Sequence, residues 1–214
     1  PVASMQQAAA RHSVLKRESL THRPRFDVAK LRPYEVMLAD NKSYPCEVRG
    51  GFKLAFLLID LKTQKKHIVS LLRKSHNGKA MMQILALTGA HKLPYKCTLY
   101  TDGCGSMEYV ADVCTSMGVC HTYVPPHMQS LNEAEKVVDR VWAAARTHML
   151  CTGAPLDLFA DCVVMVAHTD MFMATTAATC YLTRMQLETG VKPSIHRLVP
   201  FDTRCHVVAP KDKK

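Results

Sequence analysis

The chain has 214 residues, and 48% of them are hydrophobic, which predicts one large globular domain and excludes a disordered chain. Its formal net charge of +10 favours a polyanionic partner, nucleic acid before a membrane surface. No uninterrupted apolar run reaches the roughly 18 residues that a membrane-spanning helix needs, so we expect no membrane span.

Nine cysteines are spread mostly through apolar segments, and no two of them have Cys-x-x-Cys spacing. This pattern indicates neither a zinc ribbon nor a thioredoxin-like redox site, and no zinc site is evident. Buried free thiols in a reducing, intracellular compartment explain it, either the nucleus or an organelle such as the mitochondrion. The chain begins at Pro1 and not at Met, which predicts a processed or excised product.

The N-terminal segment, residues 1–32, is predicted to be a basic, partly irregular extension with a short helix at 8–17. Its cations outnumber its acids, and we predict that they bind nucleic acid by contacting phosphates. These cations are Arg11, Lys16, Arg17, Arg23, Arg25, Lys30 and Arg32. A solvated tail is the alternative interpretation.

Three strand patterns follow the boundary at Pro33. The first, 34–39, delivers Asp40 at its end. The second, 52–59, is almost continuously apolar, as a central strand buried on both faces should be. The third covers 67–72. Because short turns or loops join these segments, they predict an antiparallel meander.

The pattern then alternates between helices and strands, and the order along the chain predicts the fold class. The expected helices are 77–87, 106–117, 131–150, 155–168 and 171–187, and the expected strands are 96–101 and 119–124. Three strands, helix, strand, helix, strand and further helices is the order of a ribonuclease H-like α/β fold. That fold has a five-stranded mixed sheet flanked by helices on both faces. We place this core at 33–190, followed by an irregular tail at 191–214.

Three acidic residues stand where metal-dependent phosphoryl transfer would need them. Asp40 and Asp102 close predicted strands, and Glu135 opens the long helix predicted at 131–150. Two divalent ions about 3.5–4 Å apart would activate the attacking oxygen and stabilise the leaving one, and Mg²⁺ prefers such oxygen ligands. Each acid alone is equally well explained as a cap or turn residue, as Asp102 before Gly103 illustrates. Their combination predicts a site for Mg²⁺ or Mn²⁺.

Other candidate ligands are weaker. Asp60 ends the most apolar strand, but a neighbouring antiparallel strand would end at the opposite edge of the sheet from Asp40. Cys120, His121 and His127 do not complete a metal-ligand set with sensible spacing.

The segments around the acids resemble the integrase core of copia-type retrotransposons, over roughly four fifths of the chain. The matching segments are Leu38-Ala39-Asp40, Phe56 to Asp60, Thr101-Asp102-Gly103, Asn132 to Lys136 and Gly190 to Pro193. The resemblance implies that Asp40, Asp102 and Glu135 form the Asp, Asp, Glu catalytic triad. It also implies an enzyme that joins DNA ends with Mg²⁺ or Mn²⁺.

The chain also departs from that family at several places. The Asn-Gly pair before the catalytic helix is replaced by Leu131-Asn132, and the Asp-Asn-Gly turn reads Asp-Gly-Cys at 102–104. A His-His-Cys-Cys zinc module would precede the core, but residues 11–30 contain two histidines and no cysteine.

These observations leave two main hypotheses. One is an integrase-like polynucleotidyl transferase core. The other is a domesticated, catalytically inactive module that binds RNA or DNA in a nucleoprotein assembly such as a ribosome. A ribonuclease H-like nuclease for RNA or a hybrid duplex is a third. Expected partners are nucleic acid, DNA or RNA, together with a homo-oligomer or a larger nucleoprotein assembly.

Overall fold

The computed structural model describes residues 26–102, 105–124, 129–174 and 181–194. The helix predicted at 8–17 and most of the predicted tail lie outside the described residues. Within these ranges no helix is long and apolar enough to span a membrane.

The strands form one mixed sheet. They are β1 (Val36–Ser43), β2 (Leu54–Asp60), β3 (Lys66–Leu71), β4 (Thr98–Asp102) and β5 (Cys120–Val124). Their order across the sheet is β3-β2-β1-β4-β5. The first three strands pair antiparallel, whereas β4 runs parallel to both β1 and β5. The predicted antiparallel meander and five-stranded mixed sheet are confirmed.

Helices cover both faces of this sheet, as predicted. They are α1 (Asn77–Thr88), α2 (Glu108–Ser116), α3 (Gln129–Thr152), α4 (Phe159–Asp170) and α5 (Arg184–Thr189). One hydrophobic core lies between the sheet and α3 with α4, and a second core lies between the sheet and α1 with α2. The chain therefore has the three-layer architecture of an α/β fold.

The apolar pattern of β2 explains its position in the sheet. Every residue of β2 is buried, because its two faces meet different cores. Leu57 belongs to the core under α3 and α4, while Phe56 and Leu58 belong to the core under α1 and α2. Successive side chains of a strand point to opposite faces, so a strand buried on both faces is continuously apolar. Phe26, from the described part of the basic extension, also packs on this domain, 5.5 Å from the ring of Tyr100.

Two sequence predictions about these elements were wrong. The first strand does not end before Asp40 but continues to Ser43, because the polar residues 41–43 pair through their backbone with β2. Asp40 therefore lies inside β1. The helix predicted at 171–187 is instead a turn after α4, an isolated bridge between Ala174 and Thr183, and then the short α5.

Tertiary contacts explain why that helix breaks. Thr183 begins α5 as its N-cap, and its side-chain oxygen accepts a hydrogen bond from Gln186 N at 3.1 Å. Arg184 Nη1 donates to the carbonyl oxygen of Asp170 at 2.9 Å. Arg184 is therefore held against the end of α4, a contact that helical propensity alone does not predict.

Candidate active site

Asp40 and Asp102 lie side by side on two neighbouring parallel strands. Each stands one residue beyond the last position at which β1 pairs with β4, where Ala39 lies opposite Thr101. Neighbouring strands are about 4.8 Å apart, and residues at the same level of a parallel pair point to the same face. Leu38, two residues before Asp40, packs in the core under α3 and α4. Both carboxylates therefore belong to the face that α3 covers.

Helix α3 carries the third acid over this end of the sheet. Ala134 and Val138 are buried in the core, and Glu135 beside them is exposed. Burial raises the pKa of Asp40 above its ordinary value, and the negative charges of Asp102 and Glu135 raise it further. The backbone hydrogen bond from Asn41 opposes this change. The three acids are therefore within electrostatic reach of one another.

The carboxylate oxygens of Asp40 and Asp102 are suited to bind a hard cation. Asp102 Oδ1 is buried and accepts no hydrogen bond from the described residues. Asp40 Oδ1 accepts one from the backbone N–H of Asn41 at 2.7 Å. A buried carboxylate oxygen without a partner is unfavourable, and a divalent cation would offset both that cost and the repulsion between the acids.

The third acid does not complete a metal cage. In the ranges that the structure describes, no group of three or more His, Cys, Asp or Glu side chains lies close enough together to hold a metal ion. Electrostatic influence extends further than a coordination bond, so this result and the raised pKa of Asp40 agree. Asp40 and Asp102 fit a divalent cation by donor chemistry, with water as the remaining ligands. Glu135 lies near them without joining their set.

An ion pair beside the acids links the strand to the helix. Lys42 Nζ donates to Asp139 Oδ1 at 2.9 Å. Lys42 lies two residues after Asp40 and so faces the same side of the sheet, and its charge acts to lower the pKa of Asp40. Asp139 follows Glu135 by one helical turn. Sequence reasoning missed this pair, because no local spacing indicates that residues 97 positions apart will meet.

Asp60 lies away from this site. It pairs with Met37 near the start of β1, whereas Asp40 lies three residues further along β1 and pairs with Leu57. Asp60 Oδ1 accepts a hydrogen bond from Tyr34 N at 2.9 Å, and its Oδ2 accepts from Thr63 N at 3.0 Å and Thr63 Oγ1 at 2.6 Å. The carboxylate therefore closes the β2–β3 turn and tethers the chain that enters β1.

The other residues considered for a metal site are spread out or lie outside the structure's ranges. His121 Nε2 is 2.9 Å from Thr101 Oγ1, with which it shares a hydrogen bond. Cys120 is half-buried at the start of β5. His127 lies outside the described residues.

Two of the predicted nucleic-acid-binding cations are described. Lys30 is exposed and pairs with Asp27 at 3.3 Å. Arg32 Nε pairs with Glu35 at 3.2 Å, and its guanidinium lies 3.9 Å from the centre of the Tyr95 ring. Arg32 thus packs at the entry to β1, while Lys30 stays in solvent. The cations outside the described residues are Arg11, Lys16, Arg17, Arg23 and Arg25.

Comparison with solved structures relates this fold to integrase cores. The sequence matches no protein-family model and no curated protein. The fold is similar to the HTLV-2 integrase catalytic core domain in complex with magnesium, in its trimeric form, with a TM-score of 0.53 and 17% identity. The similarity covers 74% of this chain and 98% of that one. The dimeric form gives a TM-score of 0.54 at the same identity and coverage.

A second similar structure is the simian T-cell lymphotropic virus intasome in complex with PP2A regulatory subunit B56 gamma. Its TM-score is 0.59 at 18% identity, over 89% of this chain and 63% of that chain. Identities this low establish the fold alone. The ribonuclease H-like fold class of integrase cores is confirmed, while the copia-type relationship and the catalytic triad stay predictions.

Proposed function

We propose that this chain is an integrase-like polynucleotidyl transferase core that binds nucleic acid and joins DNA ends by divalent-metal phosphoryl transfer. The observation that carries the proposal is the placement of Asp40 and Asp102 at one level of two parallel strands. Glu135 on α3 is close enough for its charge to raise the pKa of Asp40. The similarity to an integrase core in complex with magnesium supports the same chemistry.

The three acids would have different roles, which follow from their different environments. Asp40 and Asp102 would hold Mg²⁺ or Mn²⁺ directly, and such an ion supplies Lewis-acid stabilisation of a phosphoryl oxygen when it is bound. Glu135, which is exposed on α3, would reach the site from the solvent side once the ion and a nucleic acid are present. The Lys42–Asp139 pair joins β1 to α3 near these acids.

Nucleic acid is the proposed partner because the chain carries an excess of ten positive charges. The predicted contacts are the cations of the N-terminal extension, of which Lys30 is exposed. Counterion release makes such binding weaker as salt rises, with a slope proportional to the number of phosphates contacted. Affinity for duplex DNA that does not change with salt would contradict this part of the proposal.

We also propose self-association and a reducing, intracellular location, either the nucleus or an organelle. The similar HTLV-2 core is known in dimeric and trimeric forms, which supports a homo-oligomer or a larger assembly. Cys114 and Cys162 are fully buried in apolar surroundings, where a thiol serves as a small hydrophobic side chain.

A strand-joining assay with Mn²⁺ and a labelled duplex tests the catalytic proposal. Asp102→Asn should abolish joining while the far-UV circular dichroism spectrum stays unchanged. Asp112→Asn is the matched control, since Asp112 is exposed on α2 and its substitution changes the charge by the same amount. Joining by the Asp102→Asn protein at the wild-type rate would refute the proposed role of this acid.

The second candidate function is a domesticated, non-catalytic module within a nucleoprotein assembly such as a ribosome. The exposure of Glu135, and the lack of a three-ligand metal group among the described residues, favour it. In that case Asp102→Asn would leave nucleic-acid binding unchanged, and neutralising Arg23, Arg25 and Lys30 together would weaken it. Wild-type protein that binds RNA or DNA but never joins ends would favour this alternative.

A further inference from the structure

A second charged cluster lies between the start of β3 and helices α3, α4 and α5. A cavity of about 210 Å³ lies here, and the charged residues that line it within the described part of the chain are Lys66, Arg140, Arg184 and the acid Asp170. Three cations and one carboxylate leave a formal excess of two positive charges. Lys66 shares a strand face with Ile68, which packs against the core under α3 and α4. The cavity is therefore on the same face of the sheet as Asp40, and it involves different side chains.

The buried cations of this cavity are fixed in place. The side chains of Lys66 and Arg184 are only 7% and 16% exposed, and both contact Asp170 Oδ2. Arg184 Nε also donates to the carbonyl oxygen of Gln64 at 3.1 Å, and its Nη1 donates to that of Asp170 at 2.9 Å. These contacts hold the positive groups in position before any ligand arrives, which reduces the entropic cost of binding.

Several strong donors remain available around this cavity. Arginine has five N–H donors, and the hydrogen bonds that Arg184 makes to the described residues use Nε and Nη1 but not Nη2. Arg140 is exposed and donates through Nε to the carbonyl oxygen of Lys136, while its terminal nitrogens bind no described residue. Two guanidinium groups therefore offer N–H groups beside a buried ammonium.

The charge balance of this cavity is positive, because its two buried cations, Lys66 and Arg184, share one carboxylate. Burial lowers the pKa of Lys66, and the charges of Arg184 and Arg140 lower it further, although Asp170 acts in the opposite direction. Burial also lowers the pKa of Arg184. One carboxylate thus does not compensate the positive charge that the fold gathers here.

We propose that this cavity is a binding site for a phosphate group. A phosphate group offers at least two terminal acceptor oxygens and one or two negative charges, which suit the excess positive charge and the guanidinium donors. The phosphate would come either from a nucleic-acid backbone or from a free phosphate or phosphomonoester. Both sources present negatively charged terminal oxygens to Lys66, Arg140 and Arg184: a backbone phosphodiester brings two such oxygens and one charge, and a free phosphate or phosphomonoester brings three or more oxygens and up to two charges.

Thermal unfolding of the full chain with inorganic phosphate, at constant ionic strength maintained with chloride, tests the proposal. Ligand that binds only the folded state raises the melting temperature. Phosphate should stabilise the wild type, and Arg140→Gln should weaken its apparent affinity about tenfold through the loss of charge-assisted hydrogen bonds. Arg146→Gln, an equal change of charge at an exposed position of α3, should respond as the wild type does. An equal phosphate response of all three proteins, or none in the wild type, would overturn the proposal.

Asp170→Asn distinguishes a phosphate site from an ion-pair network that is only structural. The substitution removes the negative charge that Asp170 places among the described cations of the cavity, so phosphate should bind the variant several-fold more tightly than the wild type. Lower basal stability is expected in either case, because Asp170 contacts both Lys66 and Arg184. Lower basal stability without any gain in phosphate affinity would contradict the proposal.

Titration with a fluorescent DNA duplex identifies the source of the phosphate. If Arg140→Gln weakens duplex binding and inorganic phosphate competes with the duplex, the site holds a backbone phosphate. If Arg140→Gln loses phosphate stabilisation but binds the duplex as the wild type does, the site holds a free phosphate or phosphomonoester. Both results support the site, and neither depends on strand joining at Asp102.

Discussion

Neutralising Asp40 is expected to stabilise the folded chain, although the residue lies within a central strand. Burial and the neighbouring acids raise the pKa of Asp40 in the folded state. Above the ordinary pKa of an aspartate, the folded protein therefore binds more protons than the unfolded protein, and stability falls as pH rises through this range. At neutral pH the ionised Asp40 destabilises the fold, and Asp40→Asn removes that cost while keeping the shape of the side chain.

The magnitude follows from the spacing of the strands. Residues at one level of neighbouring parallel strands place their carboxylates roughly 5–7 Å apart. Since both side chains are half-buried, we take an effective dielectric constant between about 20, the value near a protein surface, and about 80, that of water, for which the repulsion is about 1–3 kcal/mol. The amide oxygen of the variant can still accept the hydrogen bond from Asn41 N, so that contact is kept. We therefore expect a gain of about 1–3 kcal/mol in the free energy of unfolding.

Urea denaturation at neutral pH in the presence of a chelator measures this gain. Asp112→Asn is the control and should change the free energy of unfolding by less than about 0.5 kcal/mol. Adding Mg²⁺ should stabilise the wild type and reduce its difference from Asp40→Asn, because a cation offsets the same repulsion. An Asp40→Asn protein that is less stable than the wild type would refute the inference that Asp40 and Asp102 repel each other in the fold.

Three further predictions concern the rest of the domain. Gly78→Ala should cost about 1–3 kcal/mol in urea denaturation, since an added Cβ would lie 2.7 Å from the backbone oxygen of Tyr109. Asp60→Ala should cost about 3 kcal/mol or more, because it leaves several buried donors without an acceptor, and Asp60→Asn should cost less. Burial lowers the pKa of His67 from 6.5 to about 4, so the fold holds this ring neutral. About 3 kcal/mol of stability is therefore present above pH 6.5 and lost as pH falls towards 4, and His67→Gln should flatten that part of the profile.

Each of these predictions has a control or a clear contrary outcome. Lys79→Ala, at an exposed position beside Gly78, should be nearly neutral. Equal costs for Asp60→Ala and Asp60→Asn would show that the accepted hydrogen bonds are not what the carboxylate contributes. A stability profile that keeps the same slope between pH 6.5 and 4 in the His67→Gln protein would contradict a buried neutral imidazole.

The sequence pattern predicted those features that depend on local periodicity. The continuous apolar run of β2 predicted an interior strand that is buried on both faces, and the order of strands and helices predicted the mixed topology. The prediction from sequence was wrong where backbone pairing, or contacts between residues far apart in sequence, determine the structure. The polar residues 41–43 concealed the continuation of β1, and the contact between Arg184 and Asp170 ends a segment whose composition favours a helix.

Part of the candidate site could also be predicted from the order of residues along the chain. The order of the acids predicted that Asp40 and Asp102 would lie on neighbouring strands, which the parallel pairing of β1 with β4 confirms. Neither the Lys42–Asp139 pair nor the cluster around Lys66 could be predicted, because each joins residues far apart in sequence. Such contacts follow from the packed helices and not from any local motif.

Binding of Mn²⁺ to the full chain, followed by electron paramagnetic resonance, tests the central claim most directly. The account predicts that the wild type binds Mn²⁺, that Asp102→Asn and Asp40→Asn each weaken binding at least tenfold, and that Asp112→Asn binds as the wild type does. Equal Mn²⁺ binding by the wild type and the Asp102→Asn protein would show that these strand-borne acids do not form a metal site.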